Sequence, residues 1–420
     1  MYYGTQFYAS IQGLRSILSC RSISREVVWR NAQTRDLPIT MRDNSVLDLL
    51  ADLVRINSVN PSYDGGVPEA GIVRYIRQFF TERGIETWEQ EVFPNRPNLI
   101  ARLPGRQPGR RVVFEAHVDT ASIIGMSIPP FEPTIADGRL HGRGSCDTKA
   151  GVAAMMQALA SLKRDRVTPP CEIWFAAAAD EEYSFRGVLK LCEGLKADAA
   201  VVSEPTEMRA VIASKGVLRW KIRTNGKSAH SSKPHLGVNA INHMAHLILA
   251  LEADDERLKT KVHPLVGCAT ANVGVIRGGV QVNFVADACS IEVDRRLLPG
   301  ETVPEALNEY QSLLNNLKAR FPALDAVMDA PMISDEALET AADAAPVRLA
   351  SSILAELGFD PAPAGVPFGS DASKLSRQGI PSILIGPGSI DQAHAAIEYV
   401  DCEQVECACE FYRRFMERFE

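Results

Sequence analysis

From residue 45 onward the apolar positions fall into two alternating rhythms. Val46, Leu47, Leu49, Leu50, Leu53 and Val54 form a helical stripe behind the capping pair Asn44-Ser45, and Ile72, Ile76, Phe79 and Phe80 form a second stripe closed by Arg83-Gly84. Apolar runs at 98–103, 112–116, 171–179 and 199–203 read as buried strands, with an Ala- and Met-rich helix over 149–162 among them. Strands interleaved with helices predict an α/β domain built on a mostly parallel sheet. After Lys215-Gly216 the rhythm changes to strand 217–224, helix 239–251, strands 269–276 and 288–296, helix 304–321 and strand 324–329. That β-α-β-β-α-β order is the ferredoxin-like split unit and predicts an inserted α+β domain over 215–331. The first rhythm resumes with a helix over 336–357 and a strand over 382–385. The expected organisation is an extension over 1–41, a discontinuous main domain over 42–214 and 332–420, and the insert between its halves.

Composition narrows the class. With 46% hydrophobic and 23% charged residues the 420-residue chain has ordinary globular usage, which excludes disordered, collagen-like and coiled-coil classes. No apolar run approaches the roughly 18 residues of a membrane span. A net charge of −7 argues against nucleic acid, whose phosphates demand excess Lys and Arg. Nine scattered cysteines fit reduced thiols in a reducing, cytoplasmic compartment rather than a disulfide framework. Residues 1–40 carry five Arg against only Glu26 and Asp36; a transit peptide is one reading, but Met41 directly precedes the first capped helix, and an upstream start, leaving a leader that is disordered or not native, is preferred.

The chemistry-bearing residues recur at one place, the carboxyl end of each buried strand. Strand 112–116 runs into His117-Val118-Asp119, strand 171–179 into Asp180-Glu181-Glu182, strand 199–203 into Glu204-Pro205-Thr206, and strand 382–385 into Gly386-Pro387-Gly388 and His394. The loop Gly142-Arg143-Gly144-Ser145-Cys146-Asp147 opens the Ala-rich helix. Open α/β sheets bind ligands at this edge, and His with Asp and Glu is a zinc-type donor set. Five ligands exceed one tetrahedral ion, whereas a shared carboxylate between two ions accommodates them all. Each cluster alone is also what an ordinary loop or helix N-terminus would show. The Gly142 loop lacks the third glycine of a dinucleotide fingerprint and the pattern of a P-loop, and no partner base marks Cys146 as a nucleophile. Four such clusters at four strand ends make the metal reading the stronger one.

On these motifs the chain resembles the M20 metallopeptidase family over about residues 42 to 420. The family includes acetylornithine deacetylases, succinyl-diaminopimelate desuccinylases, aminoacylases and carboxypeptidases. The resemblance implies two divalent ions, zinc or cobalt: one on His117, Asp147 and Glu204, the other on Asp147, Glu182 and His394, with Asp147 bridging. It implies Glu181 as general base, Asp119 holding the second N–H of His117, and a cis peptide at Asp147-Thr148. It implies that His230, in Gly226-Lys227-Ser228-Ala229-His230 of the insert, serves as oxyanion donor in a second subunit, hence a homodimer formed through that domain; on the residues alone His230 reads as a solvated hairpin position. Asn283 and Arg296 match positions that contact a substrate carboxylate.

The segments 386–394, Glu398-Tyr399, 294–300 and 237–241 look like the acetylornithine branch, whereas Phe368-Gly369-Ser370-Asp371-Ala372 looks like the desuccinylase and other branches and is expected to border the substrate. The expected activity is therefore hydrolysis of a small N-acyl amino acid, N-acetyl-L-ornithine first, with a desuccinylase, aminoacylase, dipeptidase or carboxypeptidase as alternatives. A non-catalytic metal- or peptide-binding relative is the reading from another class; it has no use for Glu181, an acid that is not a ligand.

Overall fold

Val112, Phe114 and Ala116 point to one side of the strand Arg111–His117, and Val113, Glu115 and His117 to the other. All six are buried, so this strand requires cover on both faces. The computed structural model describes residues 45–420, so the extension expected over 1–41 lies outside the described residues. In it, Arg111–His117 runs parallel to Glu172–Ala178 on one side and to Ala199–Val202 on the other, and Ser382–Leu384 runs parallel beyond Ala199–Val202. Antiparallel strands flank this parallel centre: Arg96–Leu103 and Glu86–Phe93 at one end, Val211–Ser214 and Leu338–Glu339 at the other. The chain leaves Arg111–His117, returns on one side through the helix Lys149–Arg164, then crosses to the opposite side at Ala199. That reversal opens a crevice at the carboxyl edge, directly above His117.

Helices Val46–Arg55, Ala70–Thr81, Lys149–Arg164, Ala345–Glu356 and Cys402–Arg418 bury their apolar sides on one face of the sheet, and Arg186–Cys192 and Ala372–Arg377 cover the other. The first helix starts with a capping box between Ser45 and Asp48. Lys149–Arg164 is buried on nearly every side, which explains its small residues. At Gly151 a Cβ would collide with the Ser203 hydroxyl, so only glycine lets the helix start this close to the strand end.

The insert forms its own sheet, in the order Thr270–Gly278, Ala288–Leu297, Gly216–Asn225, Asp325–Met328, all antiparallel. This is the strand order of the ferredoxin-like unit. Helices Ala240–Lys259 and Val303–Arg320 close a second core around Trp220 and Tyr310, whose rings lie 4.7 Å apart. No helix among the described residues is long and apolar enough to cross a membrane.

Four segments depart from the sequence expectation. Residues 336–344 are not helical. Ile333–Asp335 pairs with the insert's central strand, past residue 331, Leu338–Glu339 joins the main sheet, and the helix begins only at Ala345 with Pro346 in its first turn. The helix expected to end at 251 continues to Lys259, carried by the ion pairs Asp254–Arg257, Asp255–Lys259 and Glu256–Lys259 and by buried Leu258. Glu86–Phe93 and Val211–Ser214 are strands that the apolar pattern leaves unmarked.

Phe114, fully buried, packs edge-on against Tyr412 and Phe415 at centroid distances of 6.0 and 5.8 Å, tying the central strand to the last helix. Phe114→Ala is expected to cost about 3–5 kcal/mol in urea unfolding monitored by circular dichroism; a loss below about 1 kcal/mol would show that this contact does not hold the sheet.

Candidate metal centre

The strand ends deliver their polar residues to one spot. The ligand atoms of His117, Asp147 and Glu204 all lie within 4.8 Å of one another, as do those of Asp147, Glu182 and His394. His117 Nε2 stands 3.1 Å from Asp147 Oδ1, and His394 Nε2 stands 3.0 Å from Glu182 Oε2 and 3.5 Å from Asp147 Oδ2. Asp147 is therefore the residue common to both groups. The Asp147-Thr148 peptide is cis. Glu181 lies beside them, its Oε2 4.0 Å from His117 Nε2.

His117 Nδ1 lies 3.0 Å from the backbone carbonyl oxygen of Asp119, which can only accept; Nδ1 therefore carries a proton and Nε2 faces the acids. The Asp119 carboxylate, expected to make that contact, is 3.6 Å away and is occupied otherwise. It accepts from Asn60 Nδ2 at 2.8 Å and from the backbone N–H groups of Glu181 and Glu182 at 3.1 and 3.2 Å. Asp119 thus shapes the turn that presents Glu181 and Glu182. Asp180 before them adopts a positive φ of 68°, held by Asn60, Ser184 and Arg96, and Arg96 is fixed in turn by buried Glu69. His394 also adopts a positive φ, of 60°, and is half-exposed at the crevice mouth.

The electrostatics describe a site short of positive charge. Burial, Asp147 and Glu181 push the Glu204 carboxyl well above the usual range, and burial and Glu182 push Glu181 up to about 8, against the pull of His117. Contacts with Asp147 and Glu182 raise His394 to about 10. Burial disfavours charge on His117, yet its partners Asp119 and Asp147 raise it well above the imidazole range. Glu182 Oε1 is buried with no hydrogen-bond partner. Neutral imidazole nitrogens and converging carboxylates are the donors that divalent ions take, and a dication would relieve this repulsion, so the residues fit two ions.

The residues expected on the insert lie apart from this cluster in their contacts. His230 is exposed and pairs with Ser232 Oγ at 2.8 Å. Asn283 is exposed, its carbonyl accepting from Ser231. Arg296 Nε donates to Asp294 at 2.8 Å. Gly369 abuts Asp335, where a Cβ would approach Oδ2 to 2.8 Å. Ser370 is fully buried, its carbonyl accepts from Lys374 Nζ at 3.0 Å and its hydroxyl has no hydrogen-bond partner, so its side chain does not line an open surface. Cys146 is buried, and burial with the neighbouring Glu398 raises its thiol well above the ordinary range, consistent with an inert residue.

Sequence reasoning missed Asn60 and Glu115, and it gave no role of their own to Asp180, which with Asn60 holds the Glu181 turn, or to Asp371, which is buried beside Glu115. The two carboxyls lie beside each other with no donor from another residue, and burial with neighbouring acids raises them well above the usual range. An alternation signal was available for Glu115, which shares a strand face with His117; none marked Asn60.

Residues 113–418 match the family model of peptidase family M20/M25/M40. The chain belongs to this family. It is a metal-dependent hydrolase acting on amide bonds. It is 28% identical over 386 residues to the acetylornithine deacetylase of Vibrio campbellii (strain ATCC BAA-1116), covering 87% of this chain and 95% of the relative. It is 32% identical over 336 residues to that of Proteus mirabilis (strain HI4320), covering 77% and 82%. Its fold is similar to a tripeptidase from Staphylococcus aureus (TM-score 0.74, 23% identity, 89% of this chain and 97% of the other). It is also similar to a dinuclear metal binding M20 peptidase from Bacillus subtilis (TM-score 0.67, 18% identity, 88% and 96%).

Because the site assembles only in the folded chain, zinc should raise the melting temperature, with about 2.7 kcal/mol of stabilisation at a free concentration 100 times Kd. Asp147→Asn, at the centre of both groups, should abolish most of that shift in a thermal melt. Acids and imidazoles raised in the metal-free site must lose protons to bind, so zinc affinity should rise with pH between 6 and 8; titration calorimetry showing no pH dependence would contradict the ligand assignment.

Proposed function

We propose that the chain hydrolyses small N-acyl amino acids, with N-acetyl-L-ornithine as first substrate, releasing acetate and ornithine. The observation that carries this reading is the run of curated relatives named acetylornithine deacetylase at 27–32% identity. Two divalent ions, zinc first and cobalt as the alternative, would supply Lewis acidity toward the amide oxygen and would acidify the attacking water. His117, Asp147 and Glu204 would hold one, and Asp147, Glu182 and His394 the other. Glu181 takes the water's proton and returns it to the leaving amine; it stands beside His117, 4.0 Å from Nε2, without belonging to either ligand group. Arg296 and Asn283 hold the substrate carboxylate once Arg296 releases Asp294. His230 donates to the developing oxyanion in the site of a second copy.

In this reading 215–331 is a lid and dimerisation domain between the catalytic halves 42–214 and 332–420, and the enzyme is cytoplasmic. The homodimer is supported by the free edge of the insert's sheet. Thr270–Gly278 is an edge strand with Ile276 half-exposed, and Val280 and Val282 beyond it are 87% and 99% exposed. The Gly369-Ser370 loop keeps a desuccinylase or dipeptidase among the alternatives.

An assay with added zinc or cobalt on N-acetylornithine, N-succinyl-diaminopimelate, other N-acyl amino acids and dipeptides should give the highest kcat/KM for acetylornithine; preference for a succinyl or peptide substrate moves the reading to that branch. Glu181→Ala should keep both ions while kcat drops about 10²–10⁴-fold. Loss of an ion would instead make Glu181 a ligand. Light scattering should find a mass near twice the 45.9 kDa chain, and Val282→Arg should reduce it to one copy.

A further inference from the structure

Glu398, fully buried, follows His394 by one turn of irregular chain and belongs to neither ligand group. Its carboxylate is nonetheless the most heavily donated acid around the site. Oε2 accepts from Arg143 Nη1 at 2.6 Å and from the Gly144 N–H at 3.0 Å, and Oε1 accepts from the N–H groups of Cys146 and Asp147 at 3.0 and 3.1 Å. One side chain thus gathers the whole turn that ends in Asp147. Its backbone adds to the joint: the Glu398 carbonyl accepts from the Gly142 N–H at 3.1 Å, and Tyr399 pairs with His141. Arg143 is itself buried and donates its other nitrogen to the Ser122 carbonyl at 2.7 Å, so the guanidinium cannot swing away. The Cys146 thiol donates to the Ser389 carbonyl at 3.3 Å, closing the turn against the segment that leads to His394.

Asp147 and His394 come from chain segments about 250 residues apart, yet both belong to one ligand group. We propose that Glu398 is a positioning residue that sets the separation of Asp147 and His394, so that the Asp147–Glu182–His394 group depends on it more than the His117–Asp147–Glu204 group does. Its four donors need a full carboxylate. A glutamine at 398, in either amide orientation, would set its NH₂ group against N–H donors and so release at least one side of the turn. Outer partners that orient ligands in this way typically alter metal affinity about 10–100-fold.

This inference rests on the two-ion reading, and the experiment separates the two. Wild type and Glu398→Gln are loaded with zinc, dialysed against graded chelator, and measured for bound zinc per chain, with far-ultraviolet circular dichroism and a thermal melt as fold controls. The wild type is expected to hold two ions. Glu398→Gln is expected to release one of them at a chelator strength about tenfold or more lower, while the second stays within about threefold of wild type. Its kcat should recover as zinc is raised, with KM little changed, which a general loss of fold would not give. Fewer than two ions on the wild type overturns the two-ion reading. Two ions on the wild type and unchanged release from Glu398→Gln overturns the role of Glu398 alone. Should that variant be insoluble, Glu398→Asp keeps the charge one methylene short; it is expected to weaken the same ion by a smaller factor, and wild-type affinity there would equally refute the proposal.

Discussion

The structure is organised around the cost of placing five carboxylates, Asp119, Asp147, Glu181, Glu182 and Glu204, in one buried crevice. Like charges at these separations repel strongly in a medium poorer in water than the bulk. The protein answers in two ways. Asp119 is neutralised by donors: Asn60, the backbone N–H groups of Glu181 and Glu182, and the nearby imidazole. Glu182 keeps a buried oxygen without a protein partner, and burial beside Asp147 and Glu181 holds the Glu204 carboxyl well above the usual range; those are the groups a divalent cation would serve.

The sheet makes this concentration of charge possible. Parallel strands end at the same edge, so residues following Ala116, Ala179, Ser203 and Ile385 meet without being near in sequence. The reversal of winding at Arg111–His117 leaves no helix over that point, and the crevice stays open there. Behind it the apolar core is continuous, from Phe114 through Tyr412 and Phe415, so the candidate ligands stand on well-packed elements. The inserted sheet is a separate core, joined to the first through Lys215-Gly216 and the strand Ile333–Asp335.

The parallel centre and the gathering of acids and histidines at its edge were legible because both leave local marks: an apolar run, then an acid or histidine. Alternation also exposed the split unit of the insert. What was not legible depends on contacts across the chain. Asn60 precedes a proline and looks like any turn residue; its meaning comes from Asp119 and Asp180, which lie 59 and 120 residues away. Glu398 was noted only as part of a family-like string, because its donors sit some 250 residues earlier. The helix expected from 336 failed for a related reason: Leu338 is apolar because it enters the main sheet beside Ser214, a pairing that no local period reveals.

The proposal that this edge holds two ions joined by Asp147 is the one on which the other assignments depend. Crystals of the zinc-loaded enzyme, measured on either side of the zinc absorption edge, test it most directly. The account predicts two anomalous peaks about 3.5–4 Å apart, one beside His117 and Glu204, the other beside Glu182 and His394, with one Asp147 oxygen toward each. A single peak, or two with Asp147 bound to only one, would contradict it.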